Sequence, residues 1–324
     1  MNTRSRPIII AHRGASGYLP EHSLAGKALA IAMGADYLEQ DVVASRDDEL
    51  VVLHDIYLDR VSDVATRFPG RARADNRYYV RDFDLVELRE LSMSERFNAD
   101  GSAVYPDRFP PHTGQFRIHT FVEELEFLQS MNASKNCEVG CYPEIKRPSW
   151  HKDEGIDITP VFLRDLEQCG YSKTEDRAFV QCFDADELVR IRHDLECRLR
   201  LVQLIGENSW GEGPTNFDAL RTPAGLSNLS ETVNAIGPWL QQLYRVHAGG
   251  VEPTSLASDA HSAGLEIHPY TFRRDELPEG FRSFQELLEF SLGTLAIDGM
   301  FTDFADIARQ SVDRLALPKI KKGV

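Results

Sequence analysis

No stretch of the 324-residue chain approaches the roughly 20 consecutive apolar residues needed to cross a bilayer. The longest, such as Pro7 to Ala11 and Leu50 to Leu53, stop within a few residues. The apolar run behind the basic start Met1 to Arg6 is also too short for a signal peptide. As written the chain reads as cytoplasmic, or as periplasmic if a leader has been removed. Positive charge is scarce, with 36 Lys and Arg against 51 Asp and Glu and a formal net charge of −15. That balance excludes nucleic acid as an expected partner. No basic amphipathic helix is visible, and Lys319, Lys321 and Lys322 are too few to make one, so stable membrane association is not expected either. Cys137, Cys141, Cys169, Cys182 and Cys197 are odd in number and lack CxxC pairing. They fit neither a zinc ribbon nor a disulfide framework and read as free thiols. Also missing are an internal repeat and a Gly-rich dinucleotide fingerprint after the first apolar run.

What is present is an alternation. Ile8 to Ala11 reads as a strand, Ser23 to Met33 as a helix closed by Gly34, and Tyr37 to Val43 as a second strand. Further strands are expected at Gly140 to Ile145, Ala178 to Phe183, Leu199 to Ile205, Leu265 to Tyr270 and Gly299 to Thr302, with a weaker signal at Ala235-Ile236. Helix starts are marked by Thr120 with Glu123, Asp184 with Glu187 and Ser283 with Glu286, each at capping-box spacing. Seven or eight βα repeats predict an α/β protein with a closed (β/α)₈ TIM barrel over residues 1–324. Between residues 56 and 117, after the second βα region, the alternation gives way to Pro, Gly, Arg and aromatic residues, with Leu85 to Leu91 the clear helix. A structureless loop of that length is improbable in a compact domain, so this segment is expected to be a small insertion subdomain over one barrel end. Its arginines read chiefly as surface partners of nearby Asp and Glu.

Glu39 and Asp41 lie two apart in a strand pattern, which puts both carboxylates on one face and Leu38 and Val42 on the other. Glu144 ends another strand in Tyr142-Pro143-Glu144-Ile145-Lys146. Three carboxylates meeting in a partly dry pocket repel one another, and a hard divalent cation such as Ca²⁺ or Mg²⁺ would resolve the conflict. His12 follows the first strand and His54 ends the run Leu50-Val51-Val52-Leu53-His54, so each imidazole sits where a strand meets a mouth. Two such rings across a reacting group can serve as general base and general acid. Arg13 and Lys146 supply positive charge suited to a phosphoryl group, with surface salt bridges as the alternative. Gly14, Gly17 and Pro20 shape the loop into the first helix, whose N-terminus favours an anion.

These residues stand in ordered motifs. Ala11-His12-Arg13-Gly14-Ala15-Ser16-Gly17-Tyr18-Leu19-Pro20-Glu21-His22-Ser23, Glu39-x-Asp41, His54-Asp55, Tyr142 to Lys146, Gln181-Cys182-Phe183-Asp184, His268 to Arg273 and Asp298 to Asp303 run through nearly the whole chain. In that order they resemble the glycerophosphodiester phosphodiesterase family, most closely its bacterial glycerol-metabolising branch. The resemblance implies a (β/α)₈ barrel, metal ligands at Glu39, Asp41 and Glu144, and an acid–base pair at His12 and His54. It implies Ca²⁺ as the usual ion, with Mg²⁺ or Mn²⁺ compatible with the same oxygens. The implied reaction is hydrolysis of glycerophosphodiesters, small-molecule substrates, to sn-glycerol 3-phosphate and an alcohol. Two departures are Cys182, where relatives often carry Ser, and His22-Ser23, where other branches carry Asn-Thr. A phospholipase of the same architecture acting on intact lipid, resembling sphingomyelinase D or a phosphatidylinositol-specific phospholipase C, is the alternative enzyme. A binding module is the non-enzymatic one. Tyr270, Phe272 and Phe301 lie near strand ends and read as core packing.

Overall fold

Eight short β-branched and aromatic runs form parallel strands in the structure, a computed structural model that describes residues 6–316. The basic start before Arg6 and the lysines Lys319, Lys321 and Lys322 lie outside the described residues. The strands are β1 (Ile8–Ala11), β2 (Tyr37–Ala44), β3 (Gly140–Ile145), β4 (Phe179–Cys182), β5 (Arg200–Ile205), β6 (Ala235–Pro238), β7 (Glu266–Ile267) and β8 (Gly299–Thr302). They pair in the order β7-β6-β5-β4-β3-β2-β1-β8. The seam between β7 and β8 is spanned by Asp298 N donating to Ile267 O at 3.0 Å, Phe301 N to Pro269 O at 3.1 Å and Phe272 N to Phe301 O at 2.8 Å. The expected (β/α)₈ barrel is therefore what the chain forms.

Both faces of every stave are covered, so β2, β3 and β4 are buried throughout. Within the barrel, Ile10, Tyr37, Tyr142, Phe179, Val202 and Phe301 form one apolar cluster. A larger cluster joins the outer faces of the staves to the helices. Capping follows the sequence signals in part. Ser23 accepts from Gly26 N ahead of the helix Leu24–Ala32, and Gly34, at φ +85°, takes the left-handed position just beyond it. Thr120 and Glu123 form a full capping box before Phe121–Lys135. Asp184 and Ser283 cap their helices as well, but the carboxylate of Glu187 pairs with Lys152 and Arg190, and that of Glu286 accepts from Arg282 N. In those two boxes the glutamate takes another partner in place of the cap's own N–H: the side chains of Lys152 and Arg190 for Glu187, and the amide one residue ahead of the cap for Glu286.

Two expectations shift. The run Leu265 to Tyr270 keeps regular pairing only at Glu266–Ile267, continuing as an isolated Trp239–Tyr270 bridge. Leu50–Val52 pairs antiparallel with the end of β2, Val42 facing Val52, so His54 reaches the mouth from a hairpin and not from a stave. Residues 56–117 hold little regular structure: the helices Val64–Arg67 and Leu85–Leu88 and the 3₁₀ turn Val80–Asp82. The helix expected to run to Leu91 ends after one turn. Ile56, Leu58, Val61, Phe83, Leu88 and Leu91 pack there with Val43 and Val51 of the hairpin. Several arginines of the segment pair on its surface, Arg71 with Glu87, Arg73 with Asp82 and Glu154, and Arg81 with Asp48. The five cysteines are free thiols, as expected. Among the described residues no helix is long and apolar enough to cross a membrane.

One feature of the helix layer was not visible in the apolar pattern. Lys27 is fully buried, pairs with Glu124 Oε1 at 2.7 Å and donates to the backbone carbonyl of Glu39. Glu124 Oε2 lies 2.7 Å from His119 Nε2. Removing one partner of a buried pair leaves an uncompensated charge, so Lys27→Met should cost about 3–5 kcal/mol in urea denaturation. A loss below about 1 kcal/mol, the range of exposed pairs, would show that the pair carries no such weight.

Candidate active site

Period 2 along β2 turns Leu38 and Val42 to the helix layer and Glu39 and Asp41 into the barrel, where they are 2% and 1% exposed. The register of the parallel sheet sets Asp41 opposite Glu144 of β3, and Glu144 opposite Gln181 of β4. His22, held at φ +59° in the loop before the first helix, brings Nε2 to 2.8 Å from Asp41 Oδ2. Ligand atoms of His22, Glu39 and Asp41 all lie within 4.8 Å of one another. Glu39 Oε2 accepts from the backbone N–H of Arg13. On the other side of Asp41, Lys146 Nζ stands 2.8 Å from Glu144 Oε1 and 3.7 Å from Asp41 Oδ1.

Charge is crowded here. Burial, and then the charge of Asp41, push Glu39 well above the usual carboxylate range. Burial pushes Glu144 up to about 8, against the opposing pull of Lys146. Burial acts the same way on Asp41, but His54, Lys146 and the hydrogen bond from His22 outweigh it and hold that carboxyl well below its ordinary value. Asp41 Oδ1 is buried with no hydrogen-bond partner. A buried carboxylate oxygen without a hydrogen bond, flanked by two carboxyls that resist ionisation, fits a divalent cation, and the oxygen donors fit a hard one. His22 stands to Asp41 as an imidazole that orients a carboxylate, the kind of partner that fixes a ligating oxygen.

His12 follows β1 and its Nδ1 lies 2.7 Å from Oδ1 of Asp303, the residue after β8. His54 Nδ1 lies 2.7 Å from Asp55 Oδ1. An ionised carboxylate can only accept, so in each ring Nδ1–H donates and Nε2 is left as the acceptor. Both carboxyls are ionised. Burial opposes this, but Arg273, His12 and Arg108 hold Asp303 far down, and His54 and Arg96 do the same for Asp55. Burial, followed by the charge of Arg13, lowers His12 to about 3 and lowers His54 as well. Burial thus favours the neutral form of both rings before a phosphodiester is bound.

All seven residues singled out in the sequence (His12, Arg13, Glu39, Asp41, His54, Glu144 and Lys146) border one cavity of about 470 Å³. The same cavity is also bordered by Phe183, Trp210, Trp239, Tyr270 and Phe301. Phe301 packs in the barrel core as expected and also borders the cavity, Tyr270 is only partly buried and faces the cavity, and Phe272 is fully buried. Tyr270 lies past the ordered end of its stave, where a side chain can turn inward without any periodic signal. Sequence reasoning also passed over the functional partners His22, Asp55, Asp303, Glu21, Arg96 and Arg273. Glu21, Asp55, Arg273 and Asp303 stand inside the quoted motifs, and His22 is a departure from the commoner Asn; nothing local marks Arg96.

A second cavity, about 240 Å³, lies on the insertion side of the two imidazoles and is bordered by Glu95 and Tyr105 among others. Burial, and then the charge of Glu21, push Glu95 up to about 8. Its folded value exceeds the unfolded value of about 4.3, so the stability it contributes is present below that value and is lost as pH rises through about 8. Glu95→Gln should therefore melt higher than the wild type at about pH 9 and lose that advantage at about pH 5. A difference in Tm that does not change with pH would contradict this.

A barrel of eight parallel staves with a polar, carboxylate-lined mouth defines the class of (β/α)₈ enzymes. Residues 12–307 match the model of the glycerophosphoryl diester phosphodiesterase family. The chain is 42% identical over 323 residues to a glycerophosphodiester phosphodiesterase of Haemophilus influenzae, covering 94% of this chain and 89% of that protein. It is 35% identical to one of Treponema pallidum, covering 94% and 91%. A solved structure of a phosphodiesterase from Oleispira antarctica, in complex with the product sn-glycerol-3-phosphate, superposes with a TM-score of 0.64 at 20% identity, covering 95% of this chain and 97% of that one. The chain belongs to the glycerophosphoryl diester phosphodiesterase family.

Proposed function

We propose that the protein hydrolyses glycerophosphodiesters such as glycerophosphocholine and glycerophosphoethanolamine to sn-glycerol 3-phosphate and the free alcohol, with a divalent metal ion, Ca²⁺ first, and with His12 and His54 as the acid–base pair. The observation that carries this reading is the convergence of seven residues from four segments of the chain on one cavity, in a chain of this family. A cation held by Glu39, Asp41 and Glu144 would withdraw charge from a phosphoryl oxygen and lower the pKa of a glycerol hydroxyl. Arg13 and Lys146 balance the remaining negative charge of the phosphodiester. One imidazole accepts the glycerol hydroxyl proton at Nε2 as that oxygen attacks phosphorus. The other, once it has taken up a proton at Nε2 beside the anionic phosphodiester, delivers that proton to the departing alkoxide as its P–O bond breaks; water then opens the cyclic phosphate, giving its proton to this ring while the first ring returns its own to the glycerol oxygen. Residues 56–117 act in this reading as an insertion subdomain at the barrel rim.

The test is a panel of glycerophosphodiesters and intact phospholipids assayed for released glycerol 3-phosphate, with chelator and with added Ca²⁺. Release from glycerophosphodiesters that requires the ion is the expected result. Cleavage confined to intact lipid would favour the phospholipase reading, and no turnover a binding module.

A further inference from the structure

Two arginines of the 56–117 segment leave its surface and end on the carboxylates that hold the two imidazoles. Arg96 donates from NH1 to Asp55 Oδ2 at 2.7 Å, and its Nε and NH2 fork onto Glu21 at 3.1 and 2.7 Å. Glu21 in turn accepts from Arg13 at 2.9 Å. Arg108 donates from NH2 to Asp303 Oδ2 at 2.8 Å, and its Nε and NH2 fork onto Asp275 at 2.7 and 2.9 Å. Its guanidinium also stacks 3.7 Å from the ring centre of Tyr105 and is almost wholly buried. In both cases one carboxylate oxygen takes the imidazole Nδ1–H and the other is tied by an arginine from the insertion.

We propose that the 56–117 segment is a positioning element for both imidazoles, with Arg96 acting through Asp55 on His54 and Arg108 acting through Asp303 on His12. The inference rests on the reading of these rings as the acid–base pair. A carboxylate bound through one oxygen can swing about its Cβ–Cγ bond and carry the ring with it; a second tie fixes its plane and so the direction of Nε2. The two ties are not equivalent. Asp303 keeps Arg273 at 2.8 Å when Arg108 is removed, whereas Asp55 has Arg96 as its sole arginine partner among the described contacts. Arg96 should therefore carry the larger effect.

The experiment compares kcat, KM and Tm for Arg96→Ala, Arg96→Lys and Arg108→Ala with glycerophosphocholine as substrate. Arg89→Ala, which removes a surface partner of Glu123 in the same segment, is the control and should leave kcat unchanged. Misplacement of a reacting group can cost about 10²-fold. We expect kcat to fall by about that factor in Arg96→Ala and by less in Arg108→Ala, with KM nearly unchanged. Guanidinium ion below its denaturing range should restore part of the kcat of Arg96→Ala, which a purely structural defect would not allow. If the alanine variant does not fold, Arg96→Lys, which keeps the charge but not the fork, should show the same loss of kcat. An unchanged kcat, a loss confined to KM, or a loss that guanidinium leaves untouched overturns the inference. His12→Gln and His54→Gln measured alongside separate the two failures: if these retain turnover, the acid–base reading falls first.

Discussion

Replacing His12 or His54 by alanine should lower turnover of glycerophosphocholine by about 10²- to 10⁴-fold while leaving Tm close to that of the wild type. The magnitude follows from the loss of a positioned proton acceptor or donor. The unchanged Tm follows from where the rings sit: their side chains are 12% and 29% exposed, at the mouth and not in the packed barrel interior. The two variants need not respond alike to the leaving group. A substrate that releases a stabilised anion, such as a p-nitrophenyl ester of glycerol phosphate, needs no proton at its leaving oxygen. The variant lacking the general acid should recover much of its rate on that substrate, and the variant lacking the base should not. Near-wild-type turnover of either alanine variant would end the acid–base assignment.

The second large effect concerns the carboxylates. Glu39→Ala or Asp41→Ala should abolish activity and, with it, any response to added Ca²⁺. Glu39 and Glu144 are pushed up by burial, and Asp41 Oδ1 is buried without a hydrogen-bond partner, with Lys146 Nζ at 3.7 Å. A ligand that binds the folded chain and not the unfolded one stabilises it by mass action, about 2.7 kcal/mol at a hundredfold excess over Kd. Ca²⁺ should therefore raise the Tm of the wild type, and the Tm of Asp41→Ala should be unmoved by it. Because this readout does not depend on turnover, it separates lost binding from lost chemistry. A wild-type protein whose Tm ignores Ca²⁺, Mg²⁺ and Mn²⁺ alike, and whose activity survives chelation, would remove the metal from the account.

The parts of this molecule that a sequence can announce are those governed by period and cap. The staves Ile8–Ala11, Gly140–Ile145 and Gly299–Thr302 end where the β-rich runs end, and Thr120 with Glu123 opens its helix with both halves of the box. Glu39 and Asp41 were legible for the same reason, since alternation along one strand decides which way they face. Partners brought in by loops had no such signal. His22 reaches Asp41 across the turn before the first helix, and Arg96 and Arg108 arrive from a segment with almost no regular structure. Their destinations depend on how that segment lies over the barrel, which no local pattern encodes. Lys27 shows the converse: its place on a buried helix face argues for an apolar residue, and only Glu124, distant in sequence, accounts for its charge.

The most direct test is phosphorus NMR of glycerophosphocholine incubated with the purified protein, first after chelation and then after Ca²⁺ is restored. The account predicts an unchanging diester resonance under chelation, followed on restoring Ca²⁺ by its conversion into that of glycerol 3-phosphate, and no conversion with His12→Ala. Turnover in the presence of chelator, or phosphocholine as the phosphorus-bearing product, would contradict it.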